Sequence, residues 1–130
     1  ALEKSPVGNL EWALIADGVA TNDVYTLLAT EAGVKRAFKK LDSIKNKVIW
    51  WTKGAQPPQL LADGEVVMAS AYNGRLFSAI VENKQPIAMM WDAQLFELDG
   101  YIIPTDAPHK KEALAYIKFA TDTQRQADQA

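Results

Sequence analysis

The feature that most limits the fold of this chain lies between residues 48 and 103. Four short runs there are rich in β-branched and aromatic residues: Val48–Thr52, Val66–Tyr72, Ile87–Trp91 and Tyr101–Ile103. They are set off by turn formers or charged residues, among them Lys53-Gly54, Asp63-Gly64, Asn73-Gly74 and Pro104. Apolar runs of this length with such boundaries read as strands. Helical stretches separate the first three. A short helix runs from Pro57 or Pro58 to Ala62, because proline is tolerated in a first turn. Another, opened by Gly74-Arg75, runs from Leu76 to Glu82. The last element is a helix from His109 to about Gln126, with Ala113, Leu114, Ile117 and Ala120 on one side. Strand and helix in alternation specify an α/β fold with a mixed, mainly parallel sheet flanked by helices.

The first third of the chain reads as helical. Asn9 is placed to cap a helix through Ala16 that stops at Gly18, and Asp23 to cap a short helix from Val24 to Ala29. Val34, Ala37, Phe38, Leu41 and Ile44 fall at helical spacing, while Lys35, Arg36, Lys39, Lys40 and Asp42 face away. The basic residues read as a solvated face rather than a track for phosphates.

Composition removes several functions. The 130 residues are those of one domain or one lobe of something larger, and 48% of them are apolar. A net charge of -2 offers no basic excess for a nucleic acid. The absence of cysteine excludes thiol nucleophiles, disulfides and thiolate metal sites. A single histidine, His109, reads as a cap or surface residue, so no metal site and no cofactor is expected. Asp63 and Glu65 solvate a turn. Phosphate-loop, dinucleotide, nucleophile-elbow and zinc-protease patterns are missing, so an enzyme is not expected. No apolar run approaches the ~20 residues of a bilayer span, and no basic-then-apolar leader opens the chain, which reads as cytosolic or as mature after cleavage.

In α/β sheets ligands meet the carboxyl ends of strands, and that rule selects the residues to weigh. In Trp50-Trp51-Thr52-Lys53-Gly54 the two indoles face opposite ways, so one belongs to the core and the other projects toward the strand end, unless both are structural. An indole face attracts ammonium groups. Gly54 permits either a close approach to a ligand or simply a turn. In Ala71-Tyr72-Asn73-Gly74-Arg75 a strand runs straight into a helix. Arg75 in a first turn opposes the helix dipole and calls for a carboxylate, either on a ligand or on Glu82, Asp92 or Glu97. Asp99, before Gly100 and a buried strand, either holds an amine at the sheet rim or bonds its own turn.

Taken with Gly8-Asn9-Leu10-Glu11-Trp12-Ala13-Leu14, Trp50 to Gln56, Leu60 to Met68, Ala71 to Arg75 and Asp99 to Pro104, the chain resembles extracellular solute-binding proteins of ABC importers. The group is the spermidine/putrescine-binding type, with relatives that bind γ-aminobutyrate or opines. The resemblance implies a type II periplasmic-binding-protein fold, with residues 1–130 forming one α/β lobe, the second of two, and the first lobe missing. It implies a periplasmic location, a small amine-bearing solute and ABC permease subunits as partners. Tyr72 falls where such proteins place an aromatic platform, and Asp99 where they place an amine-binding aspartate. Glu97 stands where a second aromatic residue is common, which departs from the pattern. Arg75 departs too, and favours a zwitterion such as an ω-amino acid over a plain polyamine. Tyr72, Asn73, Arg75, Glu97 and Asp99, with Trp51 or Trp50 as a wall, are the expected ligand-binding residues. Half a cleft would bind weakly alone, and its exposed wall would favour self-association. An effector-sensing domain of a transcription regulator is the alternative, since such domains use related lobes.

Overall fold

The computed structural model describes residues 1–129 and divides into two compact units, 1–95 and 96–130. In the first, strand β1 (Leu2–Glu3) pairs in parallel with β2 (Trp50–Trp51), Leu2 against Trp50 and Glu3 against Trp51. The N–H groups of Leu2 and Lys4 donate to Ile49 O at 3.0 Å and Trp51 O at 2.7 Å. On the other edge of β1 the Ala1 nitrogen donates to Met68 O, and the Ser70 N–H donates to Ala1 O. Bonding outward to two residues that flank a third is the parallel pattern. That edge stops at once, because the Glu3 N–H is taken by the Ser70 hydroxyl, 3.2 Å away, instead of a carbonyl.

Three helices form the corner that holds the core: α1 (Asn9–Ala16), α2 (Val24–Leu28) and α3 (Glu31–Asp42). Ala13, Leu14, Val24 and Ala37 are buried together, with Leu10, Ile15, Val19, Leu27, Leu28 and Leu41 packed around them. Thr30 caps α3 by accepting from the Gly33 N–H at 3.0 Å, which satisfies one of the unpaired donors of a first turn. Gly33 is buried, and a Cβ there would lie 2.0 Å from the Leu27 carbonyl oxygen, so the α2–α3 approach admits only glycine. Outside the core, Arg36 Nε donates to Asp17 Oδ2 at 2.6 Å and Lys40 pairs with the same carboxylate at 3.5 Å. The expected polar face of α3 is therefore partly a clamp on the end of α1.

After β2 come α4 (Gln56–Ala62), α5 (Asn73–Phe77) and a π-helical turn at Ser78–Glu82. The second unit contains an irregular segment, α6 (Lys110–Ala120) and α7 (Thr123–Gln129). Within it the Tyr101 and Tyr116 rings meet edge to face at 6.1 Å.

Several local expectations change. Asn9 does not cap α1. It is the first helical residue, and its amide donates to the carbonyls of Glu3 and Ser5 at 2.7 Å each, tying down the loop that enters the helix. Asp23 precedes α2 without a side-chain capping bond. Phe38 and Ile44, expected in the core, are exposed. The final helix is broken at Thr121, whose hydroxyl returns to Ile117 O at 2.7 Å and competes with continuation of the helix. Of the four expected strands only Trp50–Trp51 has regular pairing among the described residues. The 66–72 run contributes the short parallel contact around Ala1, and the 87–91 and 101–103 runs are irregular. A run of apolar residues supplies propensity, but a strand also needs a partner in register. The class is nonetheless α/β, with a small parallel sheet among helices.

Candidate functional site

Register decides what each tryptophan does. Residues paired across a parallel ladder project to the same face, and neighbours along a strand project to opposite faces. Trp51 therefore shares a face with Glu3, and Trp50 shares one with Leu2 and Lys4. Trp50 is half-buried and lines a largely apolar groove of about 330 Å³ with Lys4, Ser5, Pro6, Asn9, Leu10, Phe38 and Leu41. Trp51 is only 2% exposed. Its indole N–H is buried without an acceptor among the described residues, a deficit of about 1–3 kcal/mol.

Tyr72 stands over Trp51. The two ring centroids are 5.8 Å apart and the planes cross at 78°, an edge-to-face pair worth about 1 kcal/mol beyond burial. The Tyr72 hydroxyl donates to Glu3 Oε1 at 3.2 Å. The turn after β2 closes the third side. Gln56 Oε1 accepts from the N–H groups of Thr52 and Lys53 at 2.8 and 2.9 Å, which folds that turn back on the start of α4. Gly54 is thereby brought against the tyrosine ring, where a Cβ would lie 2.9 Å from Tyr72 Cδ2. Gly54 lies in that turn, and its close neighbour is the Tyr72 ring.

Asn73 and Arg75 follow in the first turn of α5 and are exposed. The Arg75 guanidinium has no ion pair among the described residues, and the bridge to Glu82 or Asp92 that would account for a first-turn arginine is not formed. One side of the first unit thus presents a half-exposed tyrosine, a buried indole beneath it and a carboxylate at its hydroxyl, with an exposed guanidinium three residues further along the chain. Glu97 and Asp99 belong to the second unit, in its irregular segment, and both are exposed.

Glu3 was not anticipated. Its bond to Tyr72 spans 69 residues, and Leu2–Glu3 is too short to show alternation. A group of three or more His, Cys, Asp or Glu able to hold a metal is absent among the described residues, and no helix among them is long and apolar enough to cross a membrane.

A family model described as bacterial extracellular solute-binding protein matches residues 1–130, and the chain belongs to that family. That family is one of binding proteins rather than of enzymes. A γ-aminobutyric acid-binding protein of Pseudomonas aeruginosa is 45% identical over 125 residues, which is 96% of this chain and 35% of that protein. A GABA receptor of known structure superposes with a TM-score of 0.69 at 30% identity, covering 98% of this chain and 39% of the other. The chain therefore spans little more than a third of the length of the relatives it matches. The effector-sensing alternative finds no support in these matches.

Proposed function

We propose that this chain is one lobe, the second, of a periplasmic receptor that delivers a small zwitterionic amine to an ABC permease, with γ-aminobutyrate as the leading candidate. The observation that carries the reading is the exposed Arg75 guanidinium, unpaired among the described residues and close in sequence to the Tyr72 platform. A two-pronged hydrogen bond to a carboxylate satisfies it, and a polyamine has no carboxylate to offer. In this reading Tyr72 lies along the ligand's aliphatic chain, Asn73 offers polar contacts at the start of α5, and Trp51 backs the platform. Trp50, on the other face of β2, is left to packing. The names of the γ-aminobutyrate-binding relatives support the choice of ligand. In the second unit, Asp99 is the residue to which the family resemblance gives the amine, with Glu97 beside it in sequence.

Calorimetry on the whole protein, titrated with γ-aminobutyrate and with putrescine, tests the reading. The zwitterion should bind more tightly, and Arg75→Ala should erase that preference. Tighter binding of putrescine, or an Arg75→Ala variant with unchanged preference, overturns it. Asp99→Asn should weaken both ligands, since both carry an amine. Residues 1–130 alone should bind weakly, and their exposed apolar side chains, Val67 and Met68 among them, should promote self-association in light scattering.

A further inference from the structure

We infer that Glu3 is a positioning residue of the binding site, holding the Tyr72 ring in the orientation that a ligand meets. The inference rests on the reading of Tyr72 as a ligand platform. Its physical basis is the unusual number of restraints on one side chain that is 47% exposed. A tyrosine at a surface ordinarily samples several orientations, and fixing it on binding costs about 0.5–1.5 kcal/mol. Here the edge contact with Trp51 and the approach of Gly54 restrain the ring body. Neither fixes the tip. The hydrogen bond from the hydroxyl to Glu3 Oε1 does.

Glu3 is well mounted for that task. Its neighbours Leu2 and Lys4 donate to β2 on one side, and its own N–H donates to the Ser70 hydroxyl on the other. Its Cα is thus held from both edges of β1, and its register with Trp51 places the carboxylate on the same face as that indole. Ser70 lies two residues before Tyr72, so the bond that ends the ladder also fixes where the tyrosine's segment leaves the sheet. The platform is then ordered before a ligand arrives. A glutamine can accept the same bond, whereas an alanine cannot.

The test is calorimetry on the whole protein with γ-aminobutyrate as the probe, comparing Glu3→Ala, Glu3→Gln, Tyr72→Phe and the Glu3→Ala/Tyr72→Phe double variant. Glu3→Ala should lose on the order of tenfold in affinity, about 1.4 kcal/mol. Glu3→Gln should recover most of it. In the Tyr72→Phe background, where the bonding hydroxyl is gone, Glu3→Ala should cost nothing further. An equal loss in that background, or Glu3→Ala binding like the parent, overturns the inference. Near-ultraviolet circular dichroism of the unliganded protein supplies a second readout that needs no ligand. The signal of the Trp51–Tyr72 pair should change in Glu3→Ala and return in Glu3→Gln, at an unchanged melting temperature. An unchanged signal in Glu3→Ala overturns positioning by Glu3. Should the parent protein fail to bind γ-aminobutyrate, the proposed ligand is refuted, and the dichroism still decides the role of Glu3.

Discussion

The helical corner and the rim at the end of β2 lie in the same unit and are built on opposite terms. In the corner, α1, α2 and α3 close over Leu14, which is 0% exposed, and the contacts that matter are backbone against backbone or methyl against methyl. At the rim, one aromatic ring is buried and the next stands half in solvent, held by its edges and its hydroxyl. Both regions place a glycine where a Cβ would intrude, Gly33 in the corner and Gly54 at the rim. What that Cβ would strike differs. At Gly33 it is the carbonyl of Leu27, which cannot move without moving α2. At Gly54 it is the ring of Tyr72, which can turn away. The same substitution should therefore read out as stability in one place and as binding in the other.

Gly33→Ala carries the largest expected effect. With the added carbon 2.0 Å from one backbone atom and 2.5 Å from another, α2 and α3 must separate. The loss should be on the order of 3 kcal/mol, measured as a shift in denaturant midpoint. Leu14→Ala should follow at about 3 kcal/mol through the cavity it leaves. Neither should alter the order in which ligands are preferred. A change of ligand preference in either variant would show that the corner is not separate from the rim.

Gly54→Ala should reverse the pattern. Stability should fall by about 1–2 kcal/mol, less than at Gly33, because the struck ring can swing into solvent at the loss of its edge contact with Trp51 and its bond to Glu3. Affinity for the proposed ligand, γ-aminobutyrate, should fall on the order of tenfold, since the proposed platform is displaced. The comparison breaks if Gly54→Ala melts like Gly33→Ala while binding is kept.

The same contrast explains what the sequence disclosed. The corner was legible because helices are local: Val34, Ala37 and Leu41 repeat at a spacing that one helix alone must satisfy, and α3 lies where that spacing puts it. The sheet was much less so. Val66–Tyr72 has every compositional mark of a strand, yet only Met68–Ser70 lies along β1, and a serine hydroxyl ends the contact. Ile102 belongs to another expected strand and is 89% exposed. Pairing depends on partners far along the chain, and composition does not name them. At the rim, Trp51 and Tyr72 stand out in the sequence as aromatic residues near the ends of expected strands. The acid at the tyrosine's tip does not, because Glu3 lies in a two-residue strand 69 positions away. Asn9 misled for a related reason. Its position suits a cap, but its amide finds the Glu3 and Ser5 carbonyls first.

The smallest expected effect returns to the corner and tests whether its surface charges matter at all. Asp17 ends α1, where a negative charge opposes the helix dipole. The hydrogen bond from Arg36 nevertheless holds its carboxyl below the usual carboxylate range, with the positive charges of Arg36 and Lys40 adding to the effect against a smaller cost of burial. A carboxylate with a depressed folded-state pKa contributes stability above its unfolded value, about 3.9, and loses it as pH falls through the folded value. The denaturant midpoint should accordingly decline below about pH 4. Asp17→Asn should flatten that decline while leaving the midpoint near neutral pH only slightly lower, because the pair is solvent-exposed and screened. A profile that falls as steeply in Asp17→Asn as in the parent would assign the acid sensitivity to other carboxylates and reduce the Arg36 clamp to a surface contact. High salt supplies the independent check, since it should mimic Asp17→Asn if the clamp is electrostatic and change nothing if it is not.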